Sequence, residues 1–385
     1  MQKYLPRTLE QTIEKRLANF PVVALLGARQ VGKSTLAKKI VSAHGNALYL
    51  DLELKSDRAK IETDGELFLD QNTNKLICLD EVQLLPEIFS VLRSHIDKSH
   101  SNGQFLILGS ASRDLIAQSS QTLAGRIAYI DITPFNRIET LNQYNRIEHW
   151  LRGGYPGSLL KPDDEESFEW RLNYIKTFLE RDIPQLGYSI PARTLERFWT
   201  MIAHTHGHVV NYSNLGKSLG VSHHTARSYI DILEQTFIIR TLPPFSTNVG
   251  KRLIKSPKVY IRDSGLLHTL LGIEEINDLL GHPVAGNSYE SYIIENICTL
   301  MPRWKPMFYR DSSGNEVDLV LEKGNKTIAI EIKLSTAPKP EKGFWNAVEF
   351  LKPDDLWILG QVDSTYPGPN GSQVGNLEGF LQQYS

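Results

Sequence analysis

The run Gly27-Ala28-Arg29-Gln30-Val31-Gly32-Lys33-Ser34 satisfies G-x-x-x-x-G-K-[ST] at every fixed position. It stands between an apolar stretch, Phe20 to Leu26, and an amphipathic one, Lys33 to Val41. Strand, glycine-rich loop and helix in that order confine the chain to α/β architectures, in which a buried strand delivers a tight turn to a helix N-terminus. The glycines let backbone N–H groups wrap around phosphate oxygens. Lys33 can reach the outer phosphates, and Ser34 can offer its hydroxyl to Mg²⁺. The expected nucleotide-binding set is Gly27, Ala28, Arg29, Gln30, Val31, Gly32, Lys33, Ser34 and Thr35.

A loop that cradles phosphate does not by itself hydrolyse it. Leu76-Ile77-Cys78-Leu79-Asp80-Glu81 runs four apolar residues into two acids, which places Asp80 at a strand's C-terminal edge to hold a Mg²⁺–water shell. Glu81 is the expected general base for the attacking water. Phe105 to Ser110 repeats the buried-strand pattern, and Ser110 is expected to bond the γ-phosphate or that water, with a turn or cap serine as the alternative. Arg126, in Leu123-Ala124-Gly125-Arg126, is a candidate for stabilising phosphoryl charge in its own subunit or a neighbour's, with a structural salt bridge as the alternative. Further apolar runs at Ala47–Leu52, Lys75–Leu79, Gln104–Leu108 and Ile127–Ile132 complete a βαβ rhythm and predict a parallel sheet covered on both faces.

The 385 residues exceed one ordinary core, so two or three are expected. With 42 basic against 44 acidic residues the molecule is not a general polyanion binder, and any nucleic-acid surface must be local. Two cysteines, Cys78 and Cys298, each within an apolar run, build no disulfide framework. The start, MQKYLPRTLE, shows no apolar h-region, and Val22–Leu26 is far too short to span a membrane, which predicts a cytoplasmic protein without membrane contact.

From Thr133 to Ala203 helical periodicity dominates. Between His204 and Lys258, two short helical patterns joined by Gly220-Val221-Ser222 and followed by a strand, Phe237–Leu242, have the grammar of a winged helix-turn-helix. This segment holds seven basic residues against two acidic ones, so DNA contact through His223, His224, Arg227, Lys251 and Arg252 is expected, with a protein-interaction module as the alternative. His204, His206 and His208 would put three rings on one side of a strand, but no cysteine or carboxylate nearby completes a zinc set, and they read as surface histidines.

Near the C-terminus, Glu316–Leu321, a Gly324-Asn325 turn and Thr327–Lys333 predict a hairpin. It carries Asp318 and, on one face, Glu331 and Lys333, the D…E-x-K arrangement in which two carboxylates hold a divalent metal on a phosphodiester and the lysine polarises water. Glu290, on a preceding helical run, can add a carboxylate. This portion resembles the PD-(D/E)xK restriction-endonuclease-like fold, and an amphipathic hairpin facing water is the alternative.

Taken with Gly109-Ser110, Leu123–Arg126, Pro134-Phe135, Gly153–Pro156, Arg181-Asp182-Ile183 and Asp263–Leu266, nearly the whole chain resembles a prokaryotic family that joins an AAA-type ATPase to a DUF4143 region. The resemblance implies ATP as the nucleotide and hydrolysis as its fate. The expected organisation is an AAA+ P-loop parallel-sheet core over 1–135, a helical segment over 136–203, a winged helix over 204–258 and an α/β nuclease-like region over 259–385. The expected function is Mg²⁺-dependent ATP hydrolysis coupled to DNA binding or remodelling, with a homo-oligomer among the expected assemblies. A nucleotide-controlled protein-interaction switch and an ATP-gated metal-dependent nuclease are the alternatives.

Overall fold

The computed structural model describes residues 4–110, 119, 121–245 and 255–384. The chain divides into two compact units, one formed by Met1–Phe135 with Gln235–Phe237, the other by Asn136–Glu234 with Ile238–Ser385. The helical segment, the helix-turn-helix and the C-terminal sheet, separated by sequence at 203 and 258, therefore pack as one unit.

In the first unit five strands, β1 (Val22–Gly27), β2 (Ala47–Asp51), β3 (Leu76–Asp80), β4 (Phe105–Ser110) and β5 (Ile127–Asp131), form a sheet in the order β2-β3-β4-β1-β5. Every pairing is parallel. β1 and β3 are buried along their whole length, which is why both read as unbroken apolar runs and not as alternating patterns. Val22, Ala24, Leu26, Ile77, Leu79, Phe105 and Ile107 pack with Leu92, Ile96 and Phe89 of the helix Ile88–Ser99 to make the core. The order brings the C-terminal ends of β1, β4 and β3 side by side, with Gly27 in register with Ser110. A parallel sheet gathers its loops at that edge, and two of the functional motifs arrive there by topology alone.

The second unit begins with helices. Ala192–His204 buries Leu195, Phe198, Trp199 and Ile202, the apolar stripe its spacing predicts. Two family motifs meet here. Asp263 accepts hydrogen bonds from the backbone of Gly154 (2.8 Å) and Leu266 (2.9 Å). A side chain on Gly265 would come within 2.2 Å of the Arg152 carbonyl. Gly153-Gly154 and Asp263-Ser264-Gly265 are thus two halves of one backbone-to-backbone joint, and the glycines are there because the chains touch.

Helix Tyr212–Leu219 ends at Gly220 in the left-handed region (φ 76°), and helix His223–Gln235 follows after Val221-Ser222. Gly216 sits against the turn, where a Cβ would lie 2.8 Å from the Val221 carbonyl. β6 (Ile239–Leu242) and β7 (Lys258–Ile261) then pair antiparallel. Beyond them β8 (Lys305–Arg310), β9 (Glu316–Lys323), β10 (Lys326–Ile332), β11 (Asp355–Leu359), β12 (Tyr366–Pro367) and β13 (Gln373–Gly375) make a mixed sheet in the order β12-β13-β11-β10-β9-β8. The β9–β10 hairpin turns through Gly324 at φ 59°. No helix among the described residues is long and apolar enough to cross a membrane.

Candidate functional site

Gly27 closes β1 at a point where a Cβ would meet the Ile132 carbonyl at 2.2 Å, so only glycine fits. Ala28 and Val31 are buried, Arg29 is half-buried, Gln30 is exposed in the left-handed region (φ 62°), and Gly32 caps the helix Lys33–Ala43 at φ 95°. Lys33 is buried, and its ammonium donates to the carbonyls of Gly27 (3.0 Å) and Ala28 (2.8 Å). Ser34 is half-buried and Thr35 exposed on the first turn of that helix. From outside the motif, the buried Arg7 donates to the carbonyls of Val31 (3.0 Å) and Thr133 (2.5 Å) and lies 4.6 Å over the Phe135 ring, pinning the loop to the strand beyond it. Nothing in the sequence around Arg7 announces that role, because its partners lie 24 and 126 residues away.

Asp80 ends β3, buried, with one oxygen accepting from the Glu81 backbone (2.9 Å) and the other from the Tyr49 hydroxyl of β2. Glu81 follows in the left-handed region (φ 55°) and accepts from the Gln83 side chain. Burial pushes its carboxyl above the ordinary range, against the pull of Gln83, Lys33 and Arg29. A carboxylate near a lysine and raised by desolvation is suited to take a proton from water. The backbone of Ser110 lies between the two motifs; its side chain is outside the described residues. Ser34 and Asp80 supply a hydroxyl and a carboxylate, oxygen donors of the kind Mg²⁺ takes, and they fit that ion.

The expectation for Arg126 in its own subunit is corrected. Arg126 precedes β5 at the opposite edge of the parallel sheet from Lys33, its carbonyl accepting from Val22 at the start of β1 (3.1 Å). Its guanidinium pairs with Asp97 at 2.7 Å. The salt-bridge alternative is the one realised.

In the second unit Glu290 (helix Ala285–Leu300), Asp318, Glu331 and Lys333 line one pocket of about 320 Å³, together with Lys258, Glu316, Arg310 and His208. Asp318 and Glu331 are both pushed up, first by burial and next by a neighbouring carboxylate, Glu290 for Asp318 and Asp318 for Glu331. Lys258, buried at the start of β7, lies 3.1 Å from Glu290, 2.6 Å from Glu316 and 4.0 Å from Asp318, and Tyr260 donates to Glu290 at 2.5 Å. Lys333 pairs with Glu331 at 2.8 Å. The expected residues come together, but lysines already neutralise them. Among the described residues no three His, Cys, Asp or Glu side chains converge as a metal-holding group. As arranged, Lys258 pairs with Glu290 and Glu316, and Lys333 with Glu331.

The charge expected at the helix-turn-helix is also smaller than its sequence. Lys258 is in that pocket, and Arg240 is held at 2.7 Å by Glu295, so neither contributes to an outer basic face. His223, His224 and Arg227 are exposed on the second helix, the two imidazoles 4.0 Å apart. Lys251 and Arg252 lie outside the described residues. The three histidines at 204–208 do not share a strand face. His204 ends a helix, His206 is buried and accepts from the Ile261 backbone (3.0 Å), and His208 bonds the His206 carbonyl (3.0 Å).

Residues 19–141 match the AAA domain, 144–277 a domain of unknown function (DUF8612) and 285–379 another (DUF4143). Uncharacterized proteins of Mycobacterium bovis and Mycobacterium tuberculosis are each 37% identical over 356 residues, covering 92% of this chain and 78% of theirs. The chain belongs to their family, AAA-type ATPases with a C-terminal DUF4143 region. Among solved structures, the Walker-type ATPase PABY2304 of Pyrococcus abyssi shares the fold, with a TM-score of 0.50 at 16% identity over 70% of this chain and 96% of that one. In this AAA-type ATPase with a DUF4143 region, Lys33 and Ser34 open the helix after β1, and Asp80 and Glu81 close and follow β3.

Proposed function

We propose that this ATPase hydrolyses ATP with Mg²⁺ and couples the cycle to DNA binding or remodelling. The observation that carries the hydrolytic part is the gathering of Lys33, Ser34, Asp80 and Glu81 at one edge of a single parallel sheet. Lys33 leaves the Gly27 and Ala28 carbonyls for the phosphates, whose charge outweighs two neutral acceptors. Backbone N–H groups of the loop and the first turn of the helix Lys33–Ala43 orient the chain of phosphates. Ser34 and Asp80 would hold Mg²⁺, which would supply charge neutralisation at the phosphates. Glu81 accepts the proton of the attacking water.

The DNA part is supported by the exposed N-terminal half of the helix His223–Gln235, read as the recognition helix of a winged helix-turn-helix. ATP turnover measured with single-stranded, duplex and branched DNA at low salt tests it. Stimulation that fades steeply with salt is expected. Absence of both stimulation and DNA retention removes DNA, and a salt-insensitive protein partner then takes its place. A second reading, phosphodiester cleavage, is favoured by the meeting of Asp318, Glu331 and Lys333 in one pocket. Under it, Asp318→Ala with Lys333→Ala abolishes cleavage while ATP turnover persists; cleavage equal to the parent's would end that reading.

A further inference from the structure

One side chain at the nucleotide site belongs to neither sequence motif. Tyr49 stands on β2 in register with Cys78 of β3, which sets its ring diagonally beside Asp80 two residues on. Its hydroxyl donates to Asp80. The Lys38 ammonium lies 4.9 Å from the ring centroid, holding the aromatic plane against the helix Lys33–Ala43. A phenol has one proton. Given to Asp80, it fixes one carboxylate oxygen from the side of β2. Asp80 is fixed at both oxygens, by Tyr49 on one and by the Glu81 backbone at 2.9 Å on the other.

We propose that Tyr49 is a positioning residue for the metal that accompanies the nucleotide, fixing the direction of the Asp80 carboxylate before the ion arrives. The inference rests on the ATP-hydrolysis reading above. It adds a residue on the edge strand to a site otherwise built from the ends of β1 and β3.

The test uses the full-length protein with a non-hydrolysable ATP analogue and Mn²⁺, followed by electron paramagnetic resonance. Tyr49→Phe weakens Mn²⁺ binding to the protein–nucleotide complex roughly tenfold, the scale of one hydrogen bond to a charged group. Nucleotide affinity in EDTA stays within about twofold, because the hydroxyl touches no phosphate-binding group. Unchanged or tighter Mn²⁺ binding by Tyr49→Phe overturns the proposal. Tyr49→Leu removes the ring as well; if only that variant loses metal, packing and not the hydroxyl is responsible, and the proposal falls. A parent protein that binds nucleotide but shows no bound Mn²⁺ overturns the positioning role alone. A parent that binds no nucleotide overturns the hydrolysis reading beneath it.

Discussion

Lys33 spends its ammonium on two carbonyls of its own loop, so the loop is held in shape by the group that is to leave it for phosphate. Lys33→Ala is expected to lose nucleotide binding, measured by titration with a fluorescent ATP analogue. Glu81→Gln should keep binding and retain unhydrolysed ATP, with kcat reduced at least about a hundredfold, the usual contribution of a positioned base. Because burial raises the Glu81 carboxyl, the acid limb of kcat against pH should fall above the ordinary carboxylate range. Activity is lost as pH drops through that raised value, and Glu81→Gln should show no such limb. Lys33, Ser34, Asp80 and Glu81 were legible because each sits in a short run whose neighbours carry the signal. Arg7, Tyr49 and Lys258 were not, since each acts on residues far away along the chain and its own flanks are ordinary.

At the scale of elements, β1, β3 and β4 were readable as apolar runs, and the β9–β10 hairpin by its Gly324-Asn325 turn. β8, at the sheet edge, and β11, between β13 and β10, escaped because Lys305, Pro306, Asp355 and the partly exposed Leu356 dilute their apolar signal. The joint between Gly153-Gly154 and Asp263–Gly265 was visible only as two unexplained motifs. Gly265→Ala, forced against a backbone carbonyl, should destabilise the second unit by about 1–3 kcal/mol or more in urea unfolding. A pH effect sits beside it. His268 donates to the Leu151 carbonyl (2.9 Å) and accepts from Ser288 (2.7 Å), and burial lowers its pKa to about 3. The folded state therefore resists a proton that the unfolded chain accepts below about 6.5. Stability from this group is whole above that value and declines by up to about 1.4 kcal/mol per pH unit between 6.5 and 3. Asp318 and Glu331 act in the opposite sense, their raised values favouring the folded state as pH falls. The test is thus a difference in slope: His268→Gln should unfold with a shallower acid dependence than the parent.

For the whole molecule, a ligand stabilises only the state that binds it. Saturating ATP analogue with Mg²⁺, at about a hundred times its dissociation constant, should stabilise the first unit by about 2.7 kcal/mol. Hydrogen exchange should report slowed opening in β1, β3 and β4, and Lys33→Ala should erase the effect. The chain's division was read from sequence as four segments because composition and periodicity change at 203 and 258. The second unit erases those borders through pairs such as Arg240–Glu295 and Lys258–Glu316, which no local pattern reveals.

Lys258 lies in the 144–277 match, whereas its partners Glu290 and Glu316 lie in the 285–379 match. A recombinant fragment trimmed to begin at 285 would keep every acid of the pocket and discard its innermost counter-charge, leaving buried anions to repel one another. Such a truncation should express poorly or swell as the medium turns alkaline, and inertness on its part would say little about what the uncut polypeptide can do.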